Sequence, residues 1–456
     1  MNLKVNHKSS IGILSLSLFL LACLSSAAYT APGSGTAGIT PSGDVTAGSS
    51  GEWVIEYTTA ESFSEGVISV VVPDGWSNPQ DSDGFAAGYV TVSSEGTLSA
   101  TPLSISGMII TVSIDTLSSG ETVTVVYGSE SISAGGRADC QQSSQQGVEF
   151  TVSSDPGGSS TQQISSSPVL NVVADSITAL DFITSERSTT AGEITPVMRI
   201  ECVDQYGNRS AVTSDQTVGL SSGSGTGEFS IENGGQFSDT SSVVIEAGAD
   251  TVSFYYRETV SGSFTITASA DGEAWDNAQQ LVTVSFADPF RITVSPQDTT
   301  ITAGDYANYL IGVEDEFGNS SPLSSDQVIK LYGTGGAFYL TSDHTTPVSE
   351  ITIPSSSSSV NLDYMSEEME NTLGYLLFLS DEDGQPPALE STSTTVYIEP
   401  AAADLAASTL ETDLSEVTAD GVEEATLTVV VKDSYGNPVS GSSVVLEAGG
   451  SGNDLV

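Results

Sequence analysis

The sequence predicts an all-β protein made of tandem β-sandwiches arranged as an extended rod, with the last sandwich incomplete. Three observations carry that expectation. Short runs of Val, Ile, Thr and Tyr alternate with polar residues at period two, and Gly- and Ser-rich turns separate them. No convincing amphipathic helical stretch follows the first thirty residues. A five-residue pattern of Asp, any residue, an aromatic, Gly and Asn recurs as "DQYGN" at 204–208, "DEFGN" at 315–319 and "DSYGN" at 433–437.

The pattern sits at the same place in each copy. "TTAGEITPVMRIECVDQYGN", "ITAGDYANYLIGVEDEFGN" and "VTADGVEEATLTVVVKDSYGN" all run from Thr-Ala and Gly or Asp through an alternating strand into the motif. Alternate residues share one face of a strand, so Met198, Ile200 and Cys202 are predicted core positions. The same count selects Tyr309, Ile311 and Val313, then Leu427, Val429 and Val431. Cys202 holds a slot filled by Val in the other copies and reads as a small buried apolar residue. Downstream, "SDQTVGL" at 214–220 parallels "SDQVIKL" at 325–331.

The motif is explained as a turn. Asp204, Asp315 and Asp433 can accept backbone N–H groups a few residues ahead. Gly207, Gly318 and Gly436 take positive φ without steric cost, and Asn208, Asn319 and Asn437 tolerate left-handed geometry. Pro438 fixes φ as the chain leaves the third turn. The aromatic is expected to fold over the end of its own sandwich core. On this reading nothing beyond folding is needed.

The domain reading that follows places a signal peptide at 1–28 and a linker at 29–43. An N-terminal sandwich spans 44–174, two repeats span 175–288 and 289–400, and a truncated repeat spans 401–456. In the signal, Lys4 and Lys8 precede the apolar run from Ile11 to Ala22, and small residues permit cleavage after Ala28. A second route stays open. "FLLAC" resembles a bacterial lipobox, in which case the signal ends before Cys23 and Cys23 carries lipid. Either route predicts an extracellular or cell-surface protein, at the outer membrane if lipidated. The apolar run is too short for a membrane span, so no transmembrane helix is expected after signal removal.

Charge excludes further classes. Ten Lys and Arg face 59 Asp and Glu, a formal net charge of −49. Such a surface repels phosphate backbones, so no nucleic-acid partner is expected. The mature chain retains one histidine, His344, in a stretch that reads as a surface loop, and no nucleophile elbow or phosphate loop appears. The chain therefore reads as no enzyme. No cofactor is expected, with calcium as the alternative: Asp81 and Asp83 in "DSDG", and Asp381 and Asp383 in "DEDG", are hard oxygen ligands. Neither stretch matches a twelve-residue calcium loop. Trp53 and Trp76 weigh between a sugar-stacking platform and buried core, and burial is the commoner fate of large aromatics. Cys140, in the polar "GGRADCQQSS", has no assigned role.

"LTVVVKDSYGNPVSGSSVVLEA" (427–448) resembles the bacterial Ig-like group 1 domains of invasin- and intimin-type surface proteins. The resemblance rests on Val429, Val431, Asp433, Gly436, Asn437, Pro438, Val439, Val444 and Leu446; it is clearest over 419–448 and looser over 188–288 and 300–400. It implies Ig-like sandwiches that space or display something outside the cell, facing a protein or glycan on a surface. Two alternatives accompany it: a carbohydrate-binding module presented on Ig-like spacers, or the accessory part of a larger exported hydrolase.

Overall fold

A computed structural model describes residues 31–234, 237, 241–381 and 388–449. The signal region and Cys23 lie outside the described residues, as does Asp383. The chain divides into two compact units. One comprises the described residues through Ser176 together with Asp204–Ser210; the other comprises Ile177–Val203 and the described residues from Ala211 onward. The protein is a tandem array of Ig-like β-sandwiches, with no α-helix among the described residues.

In the first unit, one sheet orders the strands Thr36–Thr40, Trp53–Thr58, Thr122–Tyr127 and Val90–Ser94. The facing sheet orders Gln162–Gln163, Thr151–Asp155, Phe63–Val71, Ile109–Leu117 and Thr97–Ser106. Alternation decides the core between them: Trp53, Ile55 and Tyr57 point inward from one strand, as do Ile110, Val112 and Ile114 from another. The expected linker at 29–43 is corrected here. Thr36–Thr40 is an edge strand paired antiparallel to Trp53–Thr58, and Ile39 enters the core. The Gly, Ser and Pro content around it hides a short alternating run.

The second unit holds two sandwiches of the same strand order, except that the second adds Asp343–Val348 at the edge of its first sheet. The first has the sheets Ile177–Phe182, Met198–Asp204, Thr251–Arg257, Glu228–Ser230 and Arg187–Thr190, Ala278–Ser285, Gly262–Ala270, Gln216–Ser222, Ser242–Ile245. The second has Arg291–Ser295, Tyr306–Glu314, Ser359–Met365, Ala337–Leu340, Asp343–Val348 and Thr299–Thr302, Thr392–Glu399, Glu370–Ser380, Gln327–Gly333, Glu350–Ile353. In both, a short strand pairs parallel to the last strand of the copy, Arg187 beside Val282 and Thr299 beside Val396. Met198, Ile200 and Cys202 are fully buried, and Tyr309, Ile311 and Val313 almost so. The "SDQ" parallel also occupies equivalent strands, Gln216 opposite Ile245 and Gln327 opposite Ile353.

The third copy departs from the expected core. Its described residues form one two-stranded sheet, Ala403–Thr412 with Leu427–Asp433. Leu427 is 42% exposed, and Val429 and Val431 are only half-buried. A strand face becomes a core only when a second sheet covers it, and none does so among the described residues.

Candidate functional site

The chemistry gathers at the repeated corner. Each motif Asp ends a strand or directly follows one, and one of its oxygens collects two backbone donors. Asp204 Oδ1 accepts from the N–H of Tyr206 (2.8 Å) and Asn208 (2.9 Å). Asp315 Oδ1 accepts from Phe317 (3.0 Å) and Asn319 (2.8 Å), and Asp433 Oδ1 from Tyr435 (3.0 Å) and Asn437 (2.8 Å). Gly207, Gly318 and Gly436 have φ of 80°, 92° and 92°, the left-handed region that lets the turn close.

The other carboxylate oxygen binds the motif Asn and the chain entering the sandwich. Asp204 Oδ2 accepts from Asn208 Nδ2 (2.8 Å) and the N–H of Asp175 (2.9 Å). Asp315 Oδ2 accepts from Asn319 Nδ2 and the Ala287 N–H, both 2.8 Å. Asp433 Oδ2 accepts from Asn437 Nδ2 (2.8 Å) and the Ala401 N–H (2.9 Å). All three carboxylates are buried. Burial alone would raise their pKa, but the Asn side chain, the entering-chain N–H and the two turn N–H groups outweigh it and hold each carboxyl below the usual range. Four donors aim at two oxygens, so a cation approaching the carboxylate would meet the positive ends of N–H dipoles. These corners do not have the chemistry of a calcium site.

The Asn amide works outward as well as inward. Asn319 Nδ2 donates its second hydrogen to Thr259 O (2.8 Å), while its Oδ1 accepts the Ser261 N–H (2.8 Å). Asn437 does the same with Glu367 O (2.8 Å) and the Met369 N–H (3.0 Å). Within the first unit, Asn208 bonds Gln142 O (2.7 Å) and the Ser144 N–H (2.8 Å). In each case the receiving loop supplies a carbonyl and, two residues later, an N–H.

The receiving loop is itself tied to a Thr-Ala-Gly turn. The carbonyls of Gln141, Glu258 and Ser366, each one residue before the Asn-bonded carbonyl, accept from the N–H of Gly48 (3.0 Å), Gly192 (2.8 Å) and Gly304 (2.9 Å). These glycines have φ of 69°, 81° and 86°. A Cβ on any of them would overlap the motif aromatic: Tyr206 at Gly48, Phe317 at Gly192 and Tyr435 at Gly304. The expectation that the aromatic closes its own sandwich is therefore corrected. Ring and glycine pack because the missing side chain leaves a flat backbone surface on the neighbouring turn.

Glu258 braces one receiver. It is fully buried; Oε1 accepts from Thr226 Oγ1 (2.5 Å) and the N–H of Thr259 (2.8 Å) and Val260 (3.0 Å), and Oε2 from the Tyr256 hydroxyl (3.0 Å). Ser366 and Gln141 hold the equivalent place, with Ser366 Oγ accepting the Glu368 N–H (3.1 Å) and Gln141 Nε2 donating to Ser143 O (2.7 Å).

The remaining sequence candidates lie apart from this arrangement. Asp83 Oδ1 caps its own turn by accepting the Phe85 N–H (2.9 Å), and Asp81 is exposed. Asp381 accepts from Gln327 Nε2 (2.6 Å) and the Leu389 N–H (3.0 Å). Among the described residues no three His, Cys, Asp or Glu side chains gather at metal-binding spacing. Trp76 is 4% exposed and edge-on to Trp53 at 4.6 Å, so the sugar-platform reading of Trp76 is overturned. Cys140 is buried in the same core, its N–H donating to Ser49 O (2.8 Å). His344 lies on a strand rather than in a loop, stacked on Tyr306 and 2.7 Å from Asp363 Oδ2.

Sequence reasoning missed the receivers and the first Thr-Ala-Gly turn. That turn was available as a signal, since Thr46-Ala47-Gly48 repeats Thr190-Ala191-Gly192 and Thr302-Ala303-Gly304. No helix among the described residues is long and apolar enough to cross a membrane.

Solved structures similar to this chain include the Escherichia coli adhesin FdeC, at 12% identity over 80% of this chain and 97% of that one, with a TM-score of 0.32. The D0-D1 domain of intimin aligns at 14% identity over 48% and 98%, with a TM-score of 0.17. Domains 4 and 5 of the S-layer protein SbsC align at 17% identity over 30% and 66%, with a TM-score of 0.19. Comparison with curated proteins gives no match. Residues 407–455, the segment carrying the Asp433 corner, match the family model for the bacterial Ig-like domain (group 1).

Proposed function

We propose that the chain is a non-enzymatic bacterial surface or secreted protein whose Ig-like sandwiches act as a structural spacer in an adhesin-like assembly. One observation carries this reading. In every described Asp-x-aromatic-Gly-Asn corner the Asp carboxylate and the Asn amide are spent on the turn, the entering chain and a receiver loop, which leaves neither group for a substrate. Polar groups satisfied on both sides of a contact favour one orientation over its neighbours, which is what a spacer requires. The family match at 407–455 and the export signal read at 1–28 support the same conclusion.

The partner class that goes with this role is a protein or glycan on a surface, and the location is the cell exterior, with lipid on Cys23 as one route of attachment. Expression of the full chain with its own leader in a bacterial host tests the proposal. Intact cells treated with protease should lose the protein, or the culture medium should contain it. Retention of a protease-protected chain inside the cell, leader uncleaved, would refute it. A Cys23→Ser variant separates the routes: loss of labelled fatty acid from the chain supports lipidation, and unchanged processing at Ala28 supports simple secretion.

A further inference from the structure

The first sandwich breaks the corner pattern while keeping the receiver. Asp204 lies twelve residues after Gly192 and Asp315 eleven after Gly304; eleven after Gly48 stands Thr59. Thr59 is buried at the end of the strand Trp53–Thr58, as the motif Asp residues are at theirs. Two residues on, where the repeats place Tyr206, Phe317 and Tyr435, this sandwich has Glu61, and no Gly-Asn follows.

The inward half of the corner survives in altered form. Thr59 Oγ1 accepts the Glu61 N–H (3.2 Å), replacing the Asp acceptor. Glu61 Oε2 accepts the N–H of Ala31 (3.0 Å), so the entering chain is still gripped by a carboxylate, as Asp315 grips Ala287. The entering segment is secured further: Gly33 N–H donates to Ser154 O (3.0 Å), and Ser34 O accepts the Tyr57 and Ser154 hydroxyls, both at 2.7 Å. The outward half, the ring and the amide, is missing.

We propose that the Thr-Ala-Gly turn with its receiver loop is a docking surface specific for the Asp-x-aromatic-Gly-Asn corner of another sandwich of this type. The first sandwich, which has the receiver but not the corner, is then the built-in terminal unit. The receiver recognises its partner by backbone alone: a flat glycine for the ring, one carbonyl and one N–H for the amide. A corner with Glu61 in place of the ring and no Asn offers neither contact. Repeat arrays generally need terminal units with a polar outer face.

Amide hydrogen exchange on the full chain tests this. In Asn319→Ala, the Ser261 N–H should exchange at least tenfold faster while the Ile200 and Ile311 N–H groups keep their protection. Asn437→Ala should do the same to Met369, giving an independent second reading. A motif serving only its own sandwich would leave Ser261 and Met369 unchanged, and that result overturns the docking surface. For the terminal role, a second copy of residues 177–288 is inserted ahead of Ala31 in the full chain. Once its Ile200 amide exchanges as slowly as in the native position, its Ser261 amide should exchange like that of Asn319→Ala. Protection equal to the native Ser261 would show that the first sandwich docks without the corner. None of these readings depends on where the protein resides, so they can fail separately from the export experiment.

Discussion

Asn319 Nδ2 lies 2.8 Å from Asp315 Oδ2, and this one bond aims the amide outward. With one hydrogen committed to the carboxylate, the second is directed to Thr259 O and the amide oxygen to the Ser261 N–H. Truncating the side chain removes one hydrogen bond to a charged group and two to backbone. Asn319→Ala should lower unfolding stability by about 2–4 kcal/mol, given about 1.5–3 for a bond to a charged group and about 1 for a neutral one, less what water restores. Denaturant titration of the full chain measures it, and a change below about 0.5 kcal/mol would discount the amide.

Gly192 and Gly207 separate conformational strain from docking. Their φ values are 81° and 80°, so Ala at either position carries the same left-handed penalty of about 1–2 kcal/mol. A Cβ at Gly207 meets nothing within 4 Å, whereas one at Gly192 overlaps the Phe317 ring. Gly192→Ala should therefore lower the melting temperature more than Gly207→Ala. Adding Phe317→Ala to Gly192→Ala should recover part of the difference.

Acid should weaken the corners in a defined direction. Asp204, Asp315 and Asp433 have folded-state pKa values held below the ordinary carboxylate range. A depressed folded pKa contributes stability that is fully present above the unfolded value, about 3.9, and is lost as pH falls through the folded value. Melts at constant ionic strength should fall as pH drops below about 4, and Asp315→Asn should flatten part of that slope. An unchanged slope would mean the carboxylate is not the acid-sensitive group.

Both described cysteines should resist thiol reagents in the folded chain. Burial raises Cys140 to about 11 against a smaller opposing hydrogen bond from Gly48, and raises Cys202 to about 11 with help from the charges of Asp250 and Glu201. The thiolate is the reactive form, so neither supplies much of it at neutral pH. Peptide mapping after brief maleimide treatment should find both unmodified until denaturant is added. Rapid labelling of Cys140 in the native protein would contradict its place in the core.

Trp76 should behave as core. It packs edge-on to Trp53 at 4.6 Å and to Phe150 at 5.1 Å. Trp76→Ala is expected to destabilise the first sandwich by about 3–5 kcal/mol, and Trp76→Phe by much less. Selective loss of glycan binding with an unchanged melt would restore the platform reading.

The residue pattern alone determined the sandwich class, the repeat and the local turn. Alternation at Met198, Ile200 and Cys202 and the Asp-to-Gly spacing act over a few residues, where side-chain type and backbone geometry are directly linked. Leu427, Val429 and Val431 carry the same alternation but stay partly exposed, because burial needs a covering sheet that no single strand encodes. Thr36–Thr40 was hidden by its Gly- and Ser-rich surroundings until pairing with Trp53–Thr58 revealed it. Tertiary structure decided what the outward amide and ring meet. Their receivers read Gln-Gln-Ser-Ser, Glu-Thr-Val-Ser and Ser-Glu-Glu-Met, three sequences with little in common. The contacts use backbone carbonyls, N–H groups and a bare glycine, and those groups leave almost no imprint on which side chains are chosen.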